Sequence, residues 1–342
     1  MPGRTPATAS FLSRFAGALQ RRQTLIDQGI AQAFRVFSGV ADGFDGVFVD
    51  VYAAGAVLIV YEGRAPGSFD PAEAAHGVLD QLTPLGVTAV YHKPFARDRS
   101  RLGGELPACV TEQAPLAGQA LPESLLIREY DWRLEIRLFD GLSTGLFLDQ
   151  RENRKWVFDR VRQATARRTS PPAVLNTFAY TCAFSVAAAC AGAITTSVDV
   201  SGRYLDWGKR NFQHNHLDIA PHRFAKMDTF EFLSYAKRKG LTYDLIILDP
   251  PSFASGNKKK GIKPWSSESD YARLVSGARD VLNPRGVIFA STNTQSLCLP
   301  GRLDREITKA LGRSPRPIDL PDPPADFAND QDRFAARAFE LG

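Results

Sequence analysis

Apolar and polar residues in the second half of the chain follow two alternating patterns. Short apolar runs typical of buried strands are separated by longer stretches in which apolar residues recur at helical spacing. Strands and helices that alternate in this way form βαβ units, so we predict an α/β fold with a mostly parallel, Rossmann-like sheet. The predicted strands cover residues 174–176, 195–200, 222–226, 243–248 and 286–290, and the predicted helices cover residues 184–191, 204–214, 230–239 and 270–282.

The C-terminal part of the chain departs from this alternation. A proline-rich stretch at 315–324 is followed by an apolar run at 334–341. Proline cannot donate a hydrogen bond to a central ladder and is confined to the borders of sheets. We therefore predict a final hairpin that adds an antiparallel C-terminal edge strand to the parallel sheet.

The first 140 residues show a different pattern, with β-type runs on both sides of a helix. This order indicates a small α+β domain with a strand, strand, helix, strand, strand arrangement behind a leading helix. We place the domain boundary after residue 140, regard residues 1–140 as a candidate for RNA binding, and expect residues 141–342 to form the second domain. The predicted elements of the first domain are a helix at 11–33, β-type runs between 34 and 61, a helix at 71–82 and strands at 87–91 and 127–139.

Composition and charge narrow the class of protein. No apolar run approaches the roughly 20 residues of a membrane helix, and the N-terminus lacks the apolar segment of a signal peptide, so we expect a cytoplasmic protein without a membrane partner. The four cysteines are widely spaced and form no C-x-x-C pair, which argues against a disulfide framework and a zinc site. The net charge of +5 and the pI near 9.0 favour a polyanionic partner without requiring one.

The sequence Asp249-Pro250-Pro251 ends the apolar run at 245–248. Proline cannot continue the ladder, so the strand must stop at the carboxyl edge of the sheet, where open α/β folds bind ligands. The Asp249 carboxylate and outward-facing carbonyls of the Pro-Pro turn could accept hydrogen bonds from a nucleobase, while Phe253 offers a face for stacking. An ordinary turn explains these residues equally well when they are taken alone.

Two more acidic residues follow predicted strands. Asp199 lies about 20 residues beyond the first strand-to-helix turn, where an acidic side chain can accept both hydroxyls of a ribose, and Ser201 is a good N-cap for the next helix. Asp228, followed by Thr229, ends the third strand, where it could accept an adenine amino group or cap the next helix. Together with Asp249, these carboxylates indicate a nucleoside site at one edge of the sheet.

The first strand-to-helix turn, from Asn176 to Ser185, contains small and hydroxyl residues in place of a glycine-rich sequence. It matches neither the P-loop nor the G-x-G-x-x-G dinucleotide fingerprint. A ligand without phosphates, contacted by the backbone and by Asn176 and Thr181, fits this turn better.

Two further features are expected near the same edge. The segment after Phe253 carries four lysines between residues 258 and 263 and ends at Trp265. Lysines there could hold phosphates and Trp265 could stack on a base, whereas a solvated loop explains the same composition. Asn293 follows the fifth predicted strand, where its side chain could contact the edge of a base.

Several of these segments together resemble a known family. They are similar to the S-adenosylmethionine-dependent methyltransferases of bacterial 23S ribosomal RNA, which include cytosine-C5 and guanine-N7 enzymes. The resemblance covers nearly the whole chain from Phe34 onward and implies a class I methyltransferase domain preceded by a small α+β domain. Members often carry an additional N-terminal RNA-binding domain of the PUA type, for which we expect the leading segment here to be too short. The segments are Thr144-Gly-Leu-Phe-Leu-Asp-Gln-Arg-Glu-Asn-Arg154, Leu175-Asn-Thr-Phe-Ala-Tyr-Thr-Cys-Ala-Phe184, Val198-Asp199, Asp228 and Asp249-Pro-Pro-Ser-Phe253.

The resemblance implies S-adenosylmethionine as the cofactor and 23S ribosomal RNA as the partner. It implies that Asp199 holds the ribose, Asp228 the adenine and residues 176–181 the amino acid end of the cofactor. The residues expected at the cofactor are Gln150, Arg151, Asn176, Phe178, Tyr180, Thr181, Asp199, Ser201, Asp228, Thr229 and Asp249. The residues expected at the target base are Asp249, Pro250, Pro251, Phe253 and Asn293, and those expected to close over the cofactor or the RNA backbone are Gln150, Arg151 and Arg154.

The residue after the fifth strand separates two mechanisms within this family. Cytosine-C5 methylation needs a thiolate that adds to C6 of the ring, and the cysteine of those members matches Asn293 here. Guanine-N7 members have asparagine at this position, and guanine N7 is already nucleophilic, so the enzyme has only to orient the base. We therefore expect transfer to a guanine nitrogen. The alternatives are a cytosine-C5 enzyme that uses Cys298, a methyltransferase of a protein or small molecule, and an RNA-binding module without turnover; the modified nucleotide and the oligomeric state stay open.

Overall fold

The computed structural model describes residues 5–95, 107–254, 256, 264–312, 315–328 and 333–341. The chain forms two compact units. The first consists of Met1–Asp149 and Pro324–Asn329, and the second consists of Gln150–Pro323 and Asp330–Gly342. The units therefore divide after residue 149 rather than after residue 140, and a short C-terminal segment belongs to the first unit.

Lys93 explains why the first unit extends past residue 140. Its side chain is buried, and Nζ donates to the backbone carbonyl oxygens of Gly141 at 2.8 Å and of Leu142 and Ser143 at 3.2 Å. Burial lowers the pKa of Lys93 to about 7. These hydrogen bonds attach the segment 141–143 to the first unit, which a pattern of apolar residues does not reveal.

Strands β1 to β5 of the first unit form one sheet in chain order, and β6 pairs with β7 in a separate hairpin. Neighbouring strands are antiparallel, except that β3 and β4 are parallel and are joined through α3. The elements are α1 (Pro6–Arg21), α2 (Gln23–Gln28), α3 (Pro71–Leu82), β1 (Ala33–Ser38), β2 (Val47–Tyr52), β3 (Gly55–Tyr61), β4 (Ala89–Phe95), β5 (Ala117–Gly118), β6 (Leu125–Glu129) and β7 (Trp132–Ile136).

The apolar faces of α1 and α3 cover this sheet. Thr5 caps α1, because its Oγ1 accepts from the N–H of Thr8, and Asp70 caps α3 in the same way through Ala72 and Glu73. Both helices have proline in the first turn, where no backbone donor is needed. Phenylalanines of α1 and alanines of α3 are buried in one cluster with apolar residues of β1 to β4.

Two predicted elements of the first unit are interrupted. The stretch 127–139 was expected to form one strand, but the chain turns at Tyr130 and Asp131 to make the β6–β7 hairpin. Tyr130 has a φ of 50°, the left-handed conformation required in many two-residue hairpin loops and usually taken by Asn or Gly. The helix expected at 11–33 is divided as well, since α1 ends at Arg21 and α2 follows.

Seven strands of the second unit form a sheet in the order β10-β9-β8-β11-β14-β16-β15. The first five of these are parallel to one another, which confirms the predicted α/β fold. The elements are α4 (Arg151–Thr165), α5 (Ala183–Cys190), α6 (Gly202–His214), α7 (Thr229–Lys239), α8 (Ser267–Arg279), α9 (Gln295–Cys298), α10 (Arg302–Leu311), β8 (Ala173–Thr177), β9 (Ile194–Asp199), β10 (Arg223–Lys226), β11 (Tyr243–Leu248), β12 (Phe253–Ala254), β13 (Trp265–Ser266), β14 (Leu282–Thr292), β15 (Arg316–Ile318) and β16 (Ala335–Glu340).

The C-terminal hairpin is antiparallel, as predicted, but its strands are placed differently along the sheet. The terminal strand β16 lies between β14 and β15, and β15 is the edge strand. Pro317 of β15 occupies this edge, where its missing N–H costs no central ladder bond.

Helices cover both faces of this sheet. Apolar residues of α7, α8 and α10 pack in one cluster with Ile246 of β11 and Ile288 of β14. On the other face, the ring of Phe289 lies 5.6 Å from Phe184 of α5 and 6.0 Å from Trp156 of α4. With both faces covered, only the ends of the strands are open to ligands, and the five parallel strands all end at one edge.

Candidate functional site

The turn between β8 and α5 holds three non-glycine residues in the left-handed region. Phe178, Tyr180 and Cys182 have φ values of 52°, 49° and 63°. Each such residue costs on the order of 1 kcal/mol or more, and residues of this kind cluster at ligand sites. The N–H of Ala179 donates to the carbonyl of Val198 in the neighbouring strand at 2.9 Å. The turn is thus fixed in an unusual shape at the carboxyl edge of the sheet.

Buried side chains support this turn from behind. Asn176, 2% exposed, donates to the hydroxyl of Ser185 at 2.9 Å, and Asn211 of α6 donates to the carbonyl of Thr181 at 2.9 Å. A Cβ atom at Gly208 would lie 2.4 Å from the sulfur of Cys182, so only glycine lets α6 approach this closely. The side chains of Asn176 and Thr181, which we expected to contact a ligand, are therefore turned into the protein interior.

Asp199 ends β9 beside this turn. One carboxylate oxygen accepts the N–H of Tyr180 and the other accepts the N–H of Ser201, both at 2.8 Å. Burial raises the pKa of Asp199, although these two hydrogen bonds act in the opposite direction. Ser201 caps α6 through the N–H of Tyr204 at 3.3 Å. The carboxylate is consequently oriented by two backbone donors and sits at the rim next to the left-handed turn.

Asp228 ends the connection after β10 and caps α7. Its Oδ1 accepts the N–H groups of Phe230 at 2.9 Å and Glu231 at 3.2 Å, and the adjacent Thr229 is buried. The capping function that the sequence offered as an alternative is therefore present. These caps occupy Oδ1 only.

A cavity of about 520 Å³ lies beside Asp228. Its wall combines the thioether of Met227 with four aromatic rings, and charged side chains complete the lining. The rings are those of Phe178, Phe230, Tyr235 and Trp265, and the charged residues besides Asp228 are Glu231, Arg238 and Arg273. Phe178 belongs to the left-handed turn, Met227 and Phe230 flank Asp228, and Trp265 lies in β13. Flat apolar walls next to a carboxylate suit a purine ring with an exocyclic amino group.

Asp249 lies at the centre of a side-chain network after β11. Its Oδ1 accepts from Nε2 of Gln150 at 3.0 Å and from the hydroxyl of Ser291 at 2.7 Å. Gln150 is buried and its amide oxygen accepts from Asn153 at 2.9 Å. Tyr271 is fully buried and donates to the carbonyl of Ser291 at 2.8 Å. The polar side chains of residues 289–295 were expected to face this cleft, but no role at the site was assigned to Ser291.

The prediction that the Pro-Pro carbonyls face outward is wrong for Pro251. Its oxygen accepts from Nε1 of Trp265 at 2.7 Å and from the hydroxyl of Ser267 at 2.9 Å. Trp265 is 5% exposed, packs 5.7 Å from both Phe178 and Phe230 and lines the cavity beside Asp228, so it is not presented on the surface for an RNA base. The indole instead braces the loop after β11.

Phe253 and Asn293 lie at the open part of the rim. Phe253 is 64% exposed, an unusual position for a ring of this size, and Pro250 beside the strand end is buried. The hydroxyl of Ser252 donates to Oδ1 of Asn293 at 2.7 Å, which brings the loop after β11 next to the end of β14. The exposed ring and the exposed amide thus share one opening.

Two arginines expected to close over a ligand are internal. Arg151 and Arg154 in the first turn of α4 are each 1% exposed.

Cys298, in α9, donates its thiol proton to the carbonyl of Thr292 at 3.5 Å. The lysines at 258–260 and 263, expected to hold phosphates, lie outside the described residues.

Within the described part of the chain, no group of three or more His, Cys, Asp or Glu side chains is arranged to hold a metal ion. None of the helices described is both long enough and apolar enough to cross a bilayer.

The sequence of the chain matches a known family. The sequence profile of the S-adenosylmethionine-dependent methyltransferases aligns with residues 104–327, which is most of the chain. The chain belongs to this family. Its cofactor is accordingly S-adenosylmethionine, and the rim of carboxylates at the ends of parallel strands belongs to a methyltransferase sheet.

Two relatives of this methyltransferase are longer proteins, and the chain matches only part of each. A Bacillus subtilis (strain 168) protein named provisionally as ribosomal RNA large subunit methyltransferase YwbD is 37% identical over 84% of this chain and 67% of its own length. The ribosomal RNA large subunit methyltransferase K/L of Saccharophagus degradans (strain 2-40) is 32% identical over 89% of this chain and 38% of its own length. The chain thus spans little more than a third of the K/L protein.

A solved structure matches this methyltransferase over nearly its whole length. It is the crystal structure of SMU.776, a protein described provisionally as a methyltransferase and complexed with SAH. It has a TM-score of 0.81 and 31% identity, and the match covers 98% of this chain and 82% of that one.

Proposed function

We propose that this methyltransferase transfers the methyl group of S-adenosylmethionine to a guanine nitrogen of 23S ribosomal RNA. The names of the B. subtilis and S. degradans relatives support large-subunit ribosomal RNA as the substrate class. The net charge of +5 suits a polyanion, and the exposed ring of Phe253 suits a base removed from its stack. A substrate of this kind would place the enzyme in the cytoplasm, and a role of the first unit in RNA binding stays a prediction.

The residues at the rim fit the cofactor. When bound, S-adenosylmethionine supplies an electrophilic methyl group on a positively charged sulfonium, and three carboxylates line this edge. Asp199 is oriented to accept the hydroxyls of a ribose, and Oδ2 of Asp228 is left by the helix cap to accept the amino group of adenine. The 520 Å³ cavity provides the apolar walls for the purine. We call this part of the rim, formed by residues 178–182, Asp199 and Asp228, the adenosyl side.

Buried residues of the predicted site act through others. Asn176 and Thr181 shape the turn whose backbone would face the amino acid end of the cofactor. Gln150 orients Asp249, and the burial of Arg151 and Arg154 fits a positioning role at the start of α4 better than closure over RNA. These side chains would therefore hold the site in shape without contacting the transferred methyl group.

The target base would lie against residues 249–253, Ser291 and Asn293, which we call the base side. Phe253 would stack on the base, and the ordered amide of Asn293 would hydrogen-bond to its edge. Guanine N7 carries a lone pair, so attack on the methyl group requires no base to remove a proton. Holding the base in line with the methyl group is then the main contribution of the protein.

We choose a guanine nitrogen because the residue that follows β14, Asn293, has an amide side chain and not a thiol. Cytosine-C5 transfer needs a thiolate. Cys298 is engaged as a thiol donor to Thr292, and burial raises the pKa of Cys182 to about 12, which keeps that thiol protonated. Neither side chain is prepared for nucleophilic addition to a pyrimidine.

Methyl transfer in solution tests this proposal. The full chain would be incubated with methyl-labelled S-adenosylmethionine and 23S ribosomal RNA from cells that lack the gene, and the label mapped by mass spectrometry. We expect one labelled guanine, and we expect Cys298→Ala to label it at the wild-type rate.

Two other outcomes would overturn parts of the proposal. Label on a cytosine that disappears in Cys298→Ala would establish the cytosine-C5 alternative. No label in RNA, together with label in protein or small-molecule extracts, would remove RNA as the substrate.

A further inference from the structure

The edge of the sheet opposite the cofactor rim carries a cluster of arginines. A cleft of about 150 Å³ opens there, at the amino ends of β8 and β11 and the last turn of α4. Strands of five or six residues rise about 3.3 Å per residue, so the two edges lie roughly 20 Å apart. The cleft is lined by Arg160, Arg167, Arg168 and Arg285 together with the side chain of Asp244. We call these four arginines the distal arginine cleft.

One ion pair anchors the floor of the cleft. Arg168 lies 2.8 Å from Asp244, whose carboxylate also accepts from the N–H of Ala173 at 2.9 Å and from Asn283 at 3.0 Å. Asp244 is thereby fully engaged with groups that fix the starts of β8 and β14. It balances one of the four guanidinium groups in the cleft.

Within the part of the chain that the structure describes, the other three guanidinium groups have no such partner. Among the described residues, no carboxylate oxygen lies within 4 Å of Arg160, Arg167 or Arg285. Arg160 is half-buried above the ring of Trp156, at 5.7 Å from its centroid, with Glu340 as a more distant carboxylate. Arg167 and Arg285 are exposed. The dipole of α4 stabilises a cation near the C-terminal end of the helix, which would explain one arginine there but not four.

The backbone at Arg285 gives an independent indication of function. Arg285 has a φ of 61° in the irregular part of β14 between Leu282 and Val287, where asparagine or glycine would adopt the left-handed conformation at lower cost. Residues held in this region cost on the order of 1 kcal/mol or more and are common where function requires them. A guanidinium group is thus presented to the cleft from a backbone position that disfavours arginine.

We propose that the distal arginine cleft binds a phosphodiester group of the RNA substrate, remote from the base that is methylated. Guanidinium groups bind phosphate oxygens in a bidentate fashion, and the cleft has room for one phosphate and a few waters at roughly 30 Å³ each. Contacts to phosphates fix the register of a nucleic acid without reading its sequence. The inference rests on the proposed function, because it assigns a second contact to the same RNA.

The test removes two exposed arginines while preserving the backbone. Arg167→Gln/Arg285→Asn deletes two charges, and asparagine tolerates the left-handed conformation of residue 285. The matched control is Arg302→Gln/Arg305→Gln, which deletes two exposed charges on α10. Binding to a fluorescently labelled 23S ribosomal RNA fragment is measured from about 0.05 to about 0.3 M KCl, a range that brackets physiological ionic strength. The kcat and KM of methyl transfer are measured for the same variants.

We expect the cleft variant to raise Kd and KM about tenfold near physiological salt, since charge-assisted hydrogen bonds to phosphate are lost. The slope of log affinity against log salt should fall by about one, because the contact to one phosphate is lost, while kcat stays at the wild-type value. The variant Arg167→Lys/Arg285→Asn, which keeps a positive charge at residue 167, should recover part of the salt slope that Arg167→Gln/Arg285→Asn loses. The α10 control should bind within about twofold of wild type.

Three results decide between this inference and the others. Wild-type binding and an unchanged salt slope in the cleft variant would overturn the inference while leaving the methylation proposal intact. Calorimetry that detects inorganic phosphate binding lost in the variant, with RNA affinity unchanged, would assign the cleft to a small anion instead. If the wild type methylates no RNA but the variant still weakens RNA binding, the proposed function fails and the cleft stands.

Discussion

The adenosyl side and the base side of the same rim are built from different parts of the chain. On the adenosyl side, backbone N–H groups orient Asp199, and the left-handed turn supplies the shape. On the base side, side chains orient Asp249, and exposed side chains face the opening. A site built from the backbone tolerates most side-chain changes except at its two carboxylates, Asp199 and Asp228, whereas a site built from side chains depends on each of them.

The largest expected effect of a single substitution is at Asp199. Asp199→Asn replaces an anionic acceptor with an amide, and the loss of two hydrogen bonds from ribose hydroxyls to a charged group should weaken cofactor binding about a hundredfold. Isothermal titration calorimetry with S-adenosylmethionine measures this. Asp206→Asn, an exposed position on α6, is the control and should bind normally. Equal affinities in both variants would show that the adenosyl side does not depend on its carboxylate.

A smaller effect is expected at Phe253, on the base side. Phe253→Ala removes a stacking surface worth roughly 1–3 kcal/mol, so kcat/KM for RNA should fall about fivefold or more while cofactor affinity stays unchanged. Steady-state methyl transfer and calorimetry separate these two quantities. Ile194→Ala, an exposed apolar position at the opposite edge, serves as the control. A loss of cofactor affinity in Phe253→Ala would mean that the two sides are not separable.

The smallest effect is the pH dependence of cofactor binding. Burial raises the pKa of Asp199 above its usual value, so the carboxyl group takes up a proton at a higher pH than an exposed aspartate does. Since the ionised form accepts the ribose hydroxyls, affinity should decline as pH falls through this raised pKa, by at most about tenfold per pH unit. Calorimetry from neutral pH downward measures the decline. Asp199→Asn should abolish it, and a decline that persists in this variant would trace it to another group.

The sequence was sufficient for the sheet and for the order of its carboxylates. Apolar runs separated by amphipathic stretches define parallel strands, and each strand must present its last residues at the same edge. Asp199, Asp228 and Asp249 could therefore be assigned to one rim before their surroundings were known. The relatives and the fold confirm the family and the α/β class to which this reasoning led.

The surroundings of those residues could not be predicted, because they depend on partners distant in sequence. Trp265 is buried by Phe178 and Phe230 and bonds to Pro251, so a residue that looked available for a base is part of the wall. Asn176 points inward because Ser185 accepts its amide. In the two-residue turn of the β6–β7 hairpin, Tyr130 rather than asparagine or glycine takes the left-handed conformation.

The left-handed turn after β8 has a consequence for the thermodynamics of capture. Its shape is imposed by the hydrogen bond from Asn211, the close approach of α6 at Gly208 and the ladder bond of Ala179, all of which are contacts within the protein itself. Such preorganisation means that the backbone has little conformational entropy left to lose when S-adenosylmethionine arrives. We therefore expect the backbone of this turn to change little when the cofactor binds. A large change in heat capacity or in conformational entropy on forming the full complex would then come from the RNA.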